Sequence, residues 1–354
     1  MKVIHWFFVL ILLGSRLFAA SELEEQTVRK AESAAFVMEH ITDAHDFHIW
    51  GEGSNSMSLP LPVILWSDEG LHFFMSNAFH HDNSGKYIVQ DKNKNFVQYK
   101  TKIYALNKGE KNIKVDKDGQ VVNAVLPLDF SFSKHAFSMT FVAFLLFFVL
   151  RTCAKNYEKT QVPKGINGFF EPIILFVRDE IARPNLGYHA DRFLPYLLTA
   201  FFFILFNNLF GLIPFFPGSS NVTGDVAVTF TLAVATFLVV NISANKDYWK
   251  HIFAMPGLPV WLLPIMIPIE IVGIFSKPFA LMVRLAVNIS AGHIIILSLI
   301  SLIFTFKSVV WAGFSVPFAL VMNSLELLVA FLQAYVFTLL SALFIGMATE
   351  EHEH

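Results

Sequence analysis

The chain has 354 residues, of which 55% are hydrophobic and only 15% are charged, and its mean hydropathy is +0.54. This composition is typical of an integral membrane protein. The formal net charge of −2 argues against a nucleic-acid partner, and the single cysteine, Cys153, excludes disulfides within the chain and argues against a cysteine-based metal site.

Residues 1–21 have the pattern of a secretory signal peptide. Lys2 precedes an apolar core, and the small residues Ala19, Ala20 and Ser21 follow it. Because Arg16 interrupts the end of that core, a short uncleaved membrane anchor is the alternative interpretation. Cleavage would leave the N-terminus of the mature protein outside the cytoplasm.

Residues 22–133 predict a small extracytoplasmic domain. A polar and mostly helix-permissive stretch reaches Trp50, and short alternating apolar runs separated by turn signals such as Asp68-Glu69-Gly70 follow it. This pattern predicts a β-rich domain of about four to six strands. Five histidines of this region form no tight ligand motif, so we predict solvated histidines and neither a metal nor another cofactor; the five are His40, His45, His48, His80 and His81.

Residues 134–349 predict an all-α polytopic membrane domain, and residues 350–354 a cytoplasmic tail. Ser133 is a candidate N-cap of the first helix. The five predicted spans lie at about 134–151, 193–216, 226–243, 258–306 and 309–347.

The last two apolar blocks are too long for simple perpendicular crossings. A helix over residues 258–306 would be about 73 Å long, against a hydrocarbon core of about 30 Å. Either the prolines at 264, 268 and 278 break it, or the two blocks form a long, tilted antiparallel hairpin that turns near Lys307–Ser308.

The loop charges predict the orientation. Seven lysine and arginine residues lie between Arg151 and Arg192, after the first span, whereas the next loop, from Pro214 to Asp225, has none. The positive-inside rule therefore places the C-terminus in the cytoplasm and the mature N-terminus outside, in agreement with the signal-peptide interpretation.

Arg284 is the only formally charged residue between Pro278 and Thr305. A guanidinium within an apolar span costs several kcal/mol, and such a residue usually acts on another charge. Snorkelling toward the membrane rim is the alternative interpretation. Asn288 follows one helical turn later on the same face, where packing and a functional role are both open.

Two further residue pairs fit an antiparallel hairpin. Residues at the same level of such a hairpin have a nearly constant sum of residue numbers, and the sum is 617 for Arg284 with Gln333 and 619 for His293 with Glu326. Arg284 should therefore lie opposite Gln333, and His293 level with Glu326 and nearer the outside. His293 alone could be a core histidine, but an imidazole beside a buried carboxylate suits proton transfer.

Three segments now indicate a family. The chain resembles subunit a of the F-type ATP synthase in three segments, which occur in the order expected of that family. They are Phe206-NNLFGLIP-Phe215, Ser276-KPFALMVRLAVNISAG-His293 and Phe331-LQAYVF. The resemblance covers about residues 134–349. It implies an ion-translocating subunit in a bacterial inner membrane whose partners are the c-ring, the b-subunit stalk and other subunits of the complex. No nucleotide motif is present, so we expect no ATP chemistry in this chain.

The resemblance also implies residue roles. Arg284 matches the arginine that faces the carboxylates of the rotating c-ring and separates two aqueous half-channels, and Gln333 and Asn288 match its companions. His293 and Glu326 match positions of the outer half-channel, Asn208 a polar channel position of the second span, and Glu270 an acidic position toward the cytoplasmic exit. The N-terminal domain is much larger than the short tail usual in the family.

Two other functional classes fit less well. A secondary transporter with its own substrate cavity would show internal repeats and paired broken helices, and no repeat is visible. A membrane scaffold that merely displays the N-terminal domain would have no use for arginine, histidine and glutamate within its spans.

Overall fold

A computed structural model describes most of the chain, with the predicted signal peptide, most of the helix-permissive stretch, His40, His81 and the tail after residue 350 outside the described part. Within it, residues 43–291 and 324–350 belong to the larger of two compact units, and residues 292–323 belong to the smaller. The described residues are 43–50, 57–80, 82–107, 109–110, 112–116, 120–159, 164–213, 218, 220–253, 260–306 and 309–350.

The N-terminal region is a small β domain of three antiparallel sheets, ordered β1-β2, β4-β3-β9 and β5-β6-β7-β8. The side chains of β3 alternate between the two faces of its sheet. Val63 and Leu65 are buried in the core of the β domain, whereas Trp66 is exposed. The strands are β1 (Asp46–Trp50), β2 (Met57–Pro60), β3 (Pro62–Ser67), β4 (Gly70–Met75), β5 (Ser84–Asp91), β6 (Lys94–Tyr99), β7 (Lys102–Leu106), β8 (Ala124–Val125) and β9 (Leu128–Asp129).

The described residues form nine strands, so the prediction of four to six was too low. Strands β8 and β9 have two residues each, too few to show a period of two. Strand β1 lies in the stretch that the sequence assigned as helix-permissive, and its pairing with β2 outweighs that local preference.

The rest of the described chain is helical. Five helical segments are long and apolar enough to cross a membrane, judged by length and composition. The helices are α1 (Lys134–Lys159), α2 (Ile166–Phe176), α3 (Arg183–Leu186), α4 (Ala190–Gly211), α5 (Val226–Ser243), α6 (Lys246–Phe253), α7 (Leu263–Phe306) and α8 (Val309–Thr349), with a π-helical segment at Val177–Ala182 and a 3₁₀ turn at Val222–Gly224. The predicted fold class, a polytopic all-α membrane protein with a small β domain, is confirmed.

Local signals explain how several helices begin and end. The hydroxyl oxygen of Ser133 accepts a hydrogen bond from the backbone N–H of Ala136 at 3.3 Å, as the predicted N-cap should. The second predicted span ends at Gly211, five residues earlier than expected from its apolar run to Phe216. The carboxylate of Asp225 caps α5 by accepting from the N–H of Ala227 at 2.8 Å.

The two last helices are long and continuous. Helix α7 has 44 residues and passes through Pro268 and Pro278 without ending, so the prolines do not break the fourth apolar block. Prolines are tolerated in membrane helices because neighbouring groups satisfy the freed backbone atoms. Helix α7 ends at Phe306 and α8 begins at Val309, on either side of the predicted turn, which lies outside the described residues. The ring centroids of Phe306 and Trp311 are 4.7 Å apart in a stacked arrangement.

The core of the membrane region within the larger unit joins several helices. Leu281, Leu285 and Ile289 of α7 belong to the same buried cluster as Phe201 of α4 and Ala334 of α8. The position of α7 against this core determines which of its faces is turned outward.

Candidate ion-pathway site

Arg284 lies on the outward face of α7. Leu281 and Leu285, on the side of the helix that packs against the core, are 2% and 1% exposed, whereas Arg284 and Asn288 are exposed. Arg284 makes no hydrogen bond or ion pair with any residue that the structure describes. The cation therefore projects from the chain without a partner among those residues.

The surface around Arg284 is otherwise apolar. Phe279 is 63% exposed and Val287 is 56% exposed, and Val283 is exposed beside them. An apolar helix face of this kind suits lipid or another membrane helix, and a lone guanidinium on it does not suit lipid. The arrangement calls for a neighbouring molecule that brings an anion to Arg284.

The two predicted site residues of α8 are buried, in contrast to Arg284. Glu326 and Gln333 are 5% and 6% exposed, and Ala330 between them is buried as well. Because the two polar residues are seven positions apart, they share one face of the helix. Both predicted α8 residues therefore lie inside the protein, whereas Arg284 and Asn288 of α7 are exposed.

Asn208 of α4 reaches this face of α8. Its side-chain amide donates a hydrogen bond to the carbonyl of Ala330 at 3.2 Å. Its amide oxygen accepts a hydrogen bond from the hydroxyl of Thr223. Ala330 is four residues after Glu326 and three before Gln333, so Asn208 contacts α8 within about one helical turn of each.

The 3₁₀ turn at Val222–Gly224 links Asn208 to α7. The hydroxyl of Ser290 donates to the carbonyl of Gly224 at 3.0 Å, next to Thr223. Thr223 and Ser290 were missed in the sequence analysis, since a hydroxyl within an apolar helix or short turn gives no periodic signal. Together these groups form a buried polar chain from α7 through the turn and α4 to α8, which we call the turn-side chain: Ser290, Gly224, Thr223, Asn208 and Ala330.

A second polar region lies nearer the other end of α7. Lys277 lines a small cleft together with Thr236, Tyr248 and Phe344. Burial raises the pKa of the Tyr248 hydroxyl, and the neighbouring carboxylate of Glu270 raises it further. Glu270, half-buried on α7, is therefore close enough to this cleft to affect its electrostatics.

Deeper contacts extend this region toward α4. The hydroxyls of Tyr196 and Thr236 are hydrogen-bonded at 2.7 Å, and Thr236 is 3.5 Å from the hydroxyl of Ser341 on α8. We call this second region the Tyr248 cleft. It and the turn-side chain touch α7 on opposite sides of Arg284 along the helix.

One contact at the Tyr248 cleft reports the register of α7 against α8. The ammonium of Lys277 lies 5.5 Å from the ring centroid of Phe344, and these residue numbers add up to 621, against 617 for Arg284 with Gln333. That Arg284 lies opposite Gln333 stays a prediction.

The other predicted pair is divided between the two compact units. His293 belongs to the unit that contains residues 292–323, and Glu326 belongs to the larger unit. Their predicted pairing stays a prediction.

Comparison with known proteins matches the two regions separately. A family described as ATP synthase A chain matches residues 136–346, and a domain of unknown function (DUF8433) matches residues 36–130. This division fits an N-terminal domain added to a membrane domain.

Curated relatives match this chain over 234 residues, or 64% of its length. "ATP synthase subunit a" of Chloroherpeton thalassium is 45% identical, and 69% of its length is covered. The protein of the same name from Myxococcus xanthus is 43% identical, with 76% of its length covered. "ATP synthase subunit a 2" of Chlorobaculum tepidum is 47% identical, with 65% of its length covered, slightly less than two thirds.

Proposed function

The chain belongs to the ATP synthase A chain family, and from this premise we propose that it is the proton-translocating stator subunit of a rotary ATP synthase. In this proposal Arg284 is the electrostatic gate between two half-channels. The partners are the c-ring, the b-subunit stalk and the other subunits of the complex. The protein spans a bacterial inner membrane, with its mature N-terminus outside and its C-terminus in the cytoplasm.

The observation that carries the proposal is the outward position of Arg284 on an apolar face. Facing lipid, this cation would cost several kcal/mol. A carboxylate on a c-ring helix passing this face would offset that cost and would itself be held ionised by the guanidinium. Asn288, exposed one turn away, would add a hydrogen-bonding group to the same contact surface.

The turn-side chain is the proposed outer half-channel. Its buried hydroxyl and amide groups lead to α8 beside Glu326, whose carboxylate can take up and release a proton. From there a proton neutralises a c-ring carboxylate, which can then face lipid at much lower cost than an ionised one. His293, as the predicted partner of Glu326, would assist this transfer.

The Tyr248 cleft is the proposed inner half-channel. After the ring has turned, the carboxylate approaches Arg284, which favours its ionised form and so promotes release of the proton toward Glu270. Arg284 does not carry the proton itself, since a guanidinium essentially never deprotonates. Its fixed charge, supported by Gln333 on α8, prevents protons from passing between the half-channels without rotation.

The membrane potential then supplies the driving force. Each elementary charge that crosses gains about 2.3 kcal/mol per 100 mV. Rotation of the ring couples this free energy to ATP synthesis in other subunits, because the chain carries no nucleotide motif.

ATP-driven proton pumping in inverted membrane vesicles tests the proposal. We expect Arg284→Ala to abolish pumping while the complex still assembles, and Val287→Ala, on the same exposed face, to pump like the wild type. Glu326→Gln should slow pumping. Normal pumping by an assembled Arg284→Ala complex would refute the gate.

A further inference from the structure

Three potential metal ligands converge where the β domain meets the membrane helices. Asp43 precedes β1, His135 is the second residue of α1, and Asp225 precedes α5. Nδ1 of His135 lies 3.2 Å from Oδ2 of Asp225 and 3.7 Å from Oδ1 of Asp43. All three candidate ligand atoms lie within 4.8 Å of one another, although they come from distant parts of the sequence.

The imidazole is buried and directed between the two carboxylates. The side chain of His135 is 5% exposed, whereas those of Asp43 and Asp225 are 35% and 30% exposed. A polar ring this buried is held by its surroundings, and the two carboxylates leave the cluster open to solvent on one side. An ion could therefore reach the cluster without unfolding the surrounding structure.

Backbone hydrogen bonds fix both carboxylates. Oδ1 of Asp43 accepts from the N–H groups of Ala44 at 3.0 Å and His135 at 2.9 Å. Oδ1 of Asp225 accepts from the N–H of Ala227, which leaves Oδ2 directed at the imidazole. Ligands oriented by such outer contacts lose little freedom when they bind a metal.

The spacing of His135 from each carboxylate is close to that of a tetrahedral metal centre. Zinc binds histidine nitrogen and carboxylate oxygen at about 2.0–2.2 Å, which puts neighbouring ligand atoms about 3.3–3.6 Å apart. The two distances from His135, 3.2 and 3.7 Å, lie on either side of that range. Three protein ligands would leave the fourth position for water, an arrangement that zinc commonly accepts.

We propose that Asp43, His135 and Asp225 bind a divalent transition metal of the Zn²⁺ class at the junction between the β domain and the start of α1. Binding replaces the hydrogen bond between His135 and Asp225: the ring binds the metal through Nδ1 as the neutral tautomer with its proton on Nε2, and any further proton is released to solvent. The metal would tie the β domain to α1 and α5.

Charge also favours a divalent cation. Two carboxylates this close repel each other when the imidazole is neutral, and a metal ion would neutralise both. Lys134, next to His135 in the chain, brings a further charge to the cluster. Lys134 interacts electrostatically with Asp43 and Asp46, so its ammonium is the cation with which a metal would compete.

Binding of Zn²⁺ to the metal-free full-length chain in detergent, measured by equilibrium dialysis, tests the proposal. We expect Asp43→Asn and His135→Gln each to weaken one Zn²⁺ site by more than about tenfold. His251→Ala removes an exposed histidine outside the cluster and should leave that site unchanged. Asp43→Asn keeps the size of the side chain and its oxygen toward Ala44, so it remains informative if His135→Gln does not fold.

The spectrum of bound Co²⁺ provides a second measurement. Wild type should show the intense visible absorption of a tetrahedral site, and Asp43→Asn should lose it. Unchanged Zn²⁺ affinity in both variants, or a wild type without a Zn²⁺ site at micromolar concentration, would overturn the proposal and leave the cluster as a hydrogen-bonded ion pair only.

Discussion

The side-chain amide of Asn208 donates a hydrogen bond to the backbone carbonyl of Ala330, 122 positions later in the chain, at 3.2 Å. This bond joins the second spanning segment to the last helix between Glu326 and Gln333. Asn208 and Ala330 are both buried, so neither group can turn to solvent if its partner is removed. The amide of Asn208 thus has two tasks, to fix α4 against α8 and to continue the turn-side chain.

Substitutions at Asn208 and Thr223 should distinguish these two tasks of the Asn208 amide. Asn208→Leu leaves the buried hydroxyl of Thr223 without its acceptor, at a cost of about 1–3 kcal/mol, and removes the additional hydrogen bond to the carbonyl of Ala330. Thr223→Val removes the hydroxyl and keeps the bond from Asn208 to Ala330. We expect both variants to slow ATP-driven pumping, with the lower melting temperature in Asn208→Leu. Wild-type pumping in both would exclude the turn-side chain as the outer path.

Arg284 and Glu326 should differ in proton leakage. Removing the fixed charge with Arg284→Ala opens a route between the half-channels, whereas Glu326→Gln removes a titratable group from one of them. The measurement is passive proton conductance in vesicles from which the catalytic sector has been stripped. We expect this conductance to rise in the Arg284→Ala variant and to fall in the Glu326→Gln variant. Equal leakage in the two variants would contradict a gating role for Arg284.

The β domain should lose stability in acid through Asp129. Burial opposes ionisation of this carboxylate, but hydrogen bonds from His45 at 2.6 Å and from Ser131 outweigh it and lower its pKa. A carboxyl group whose pKa is lower in the folded state stabilises the fold at every pH above its unfolded pKa of about 3.9. This stabilisation is lost as the pH falls through the pKa of the folded state. Because the Asp129 side chain is 38% exposed, we expect its ionisation to contribute only about 0.5–1 kcal/mol to the free energy of unfolding.

Hydrogen exchange of the strand pair formed by Leu65 and Trp66 with β9 measures this effect. Asp129→Asn should speed exchange at neutral pH and leave it unchanged at a pH below the folded pKa, where the wild-type carboxyl is also neutral. The exposed Asp68→Asn serves as the control. An Asp129→Asn effect of the same size at both pH values would show that charge is not the cause.

The sequence predicts the features that depend on local composition. Hydropathy gives the spanning regions, and the Ser133 cap and the turn after Phe306 follow from neighbouring residues. Arg284 is conspicuous because nothing else near it is charged. A sequence without such a contrast, as at Thr223, gives no comparable signal.

Features that depend on tertiary contacts could not be predicted. His135 meets Asp43 and Asp225 across 92 and 90 positions, and no spacing rule connects them. Similarly, the sequence left open whether the prolines break α7, because continuity depends on how neighbouring groups satisfy the freed backbone atoms. The level of α7 against α8 could be predicted only on the assumption of a hairpin, and this assumption can be tested directly.

Leu281 of α7 and Phe337 of α8 are buried in one cluster, and their numbers add up to 618, close to the predicted 617 for Arg284 with Gln333. In a chain carrying Cys153→Ser, we expect Leu281→Cys with Phe337→Cys to form a disulfide under mild oxidation, since level positions can approach within the Cα separation of about 7 Å that a disulfide requires. Leu281→Cys with Ala330→Cys is the control, because Ala330 lies seven residues, about 10 Å along the axis, from Phe337. Efficient cross-linking of the control, with none between positions 281 and 337, would show that the register of α7 against α8 differs by two helical turns from the predicted one. Arg284 would then lie opposite Glu326 on α8, and the separation of the two half-channels by Arg284 and Gln333 would be lost.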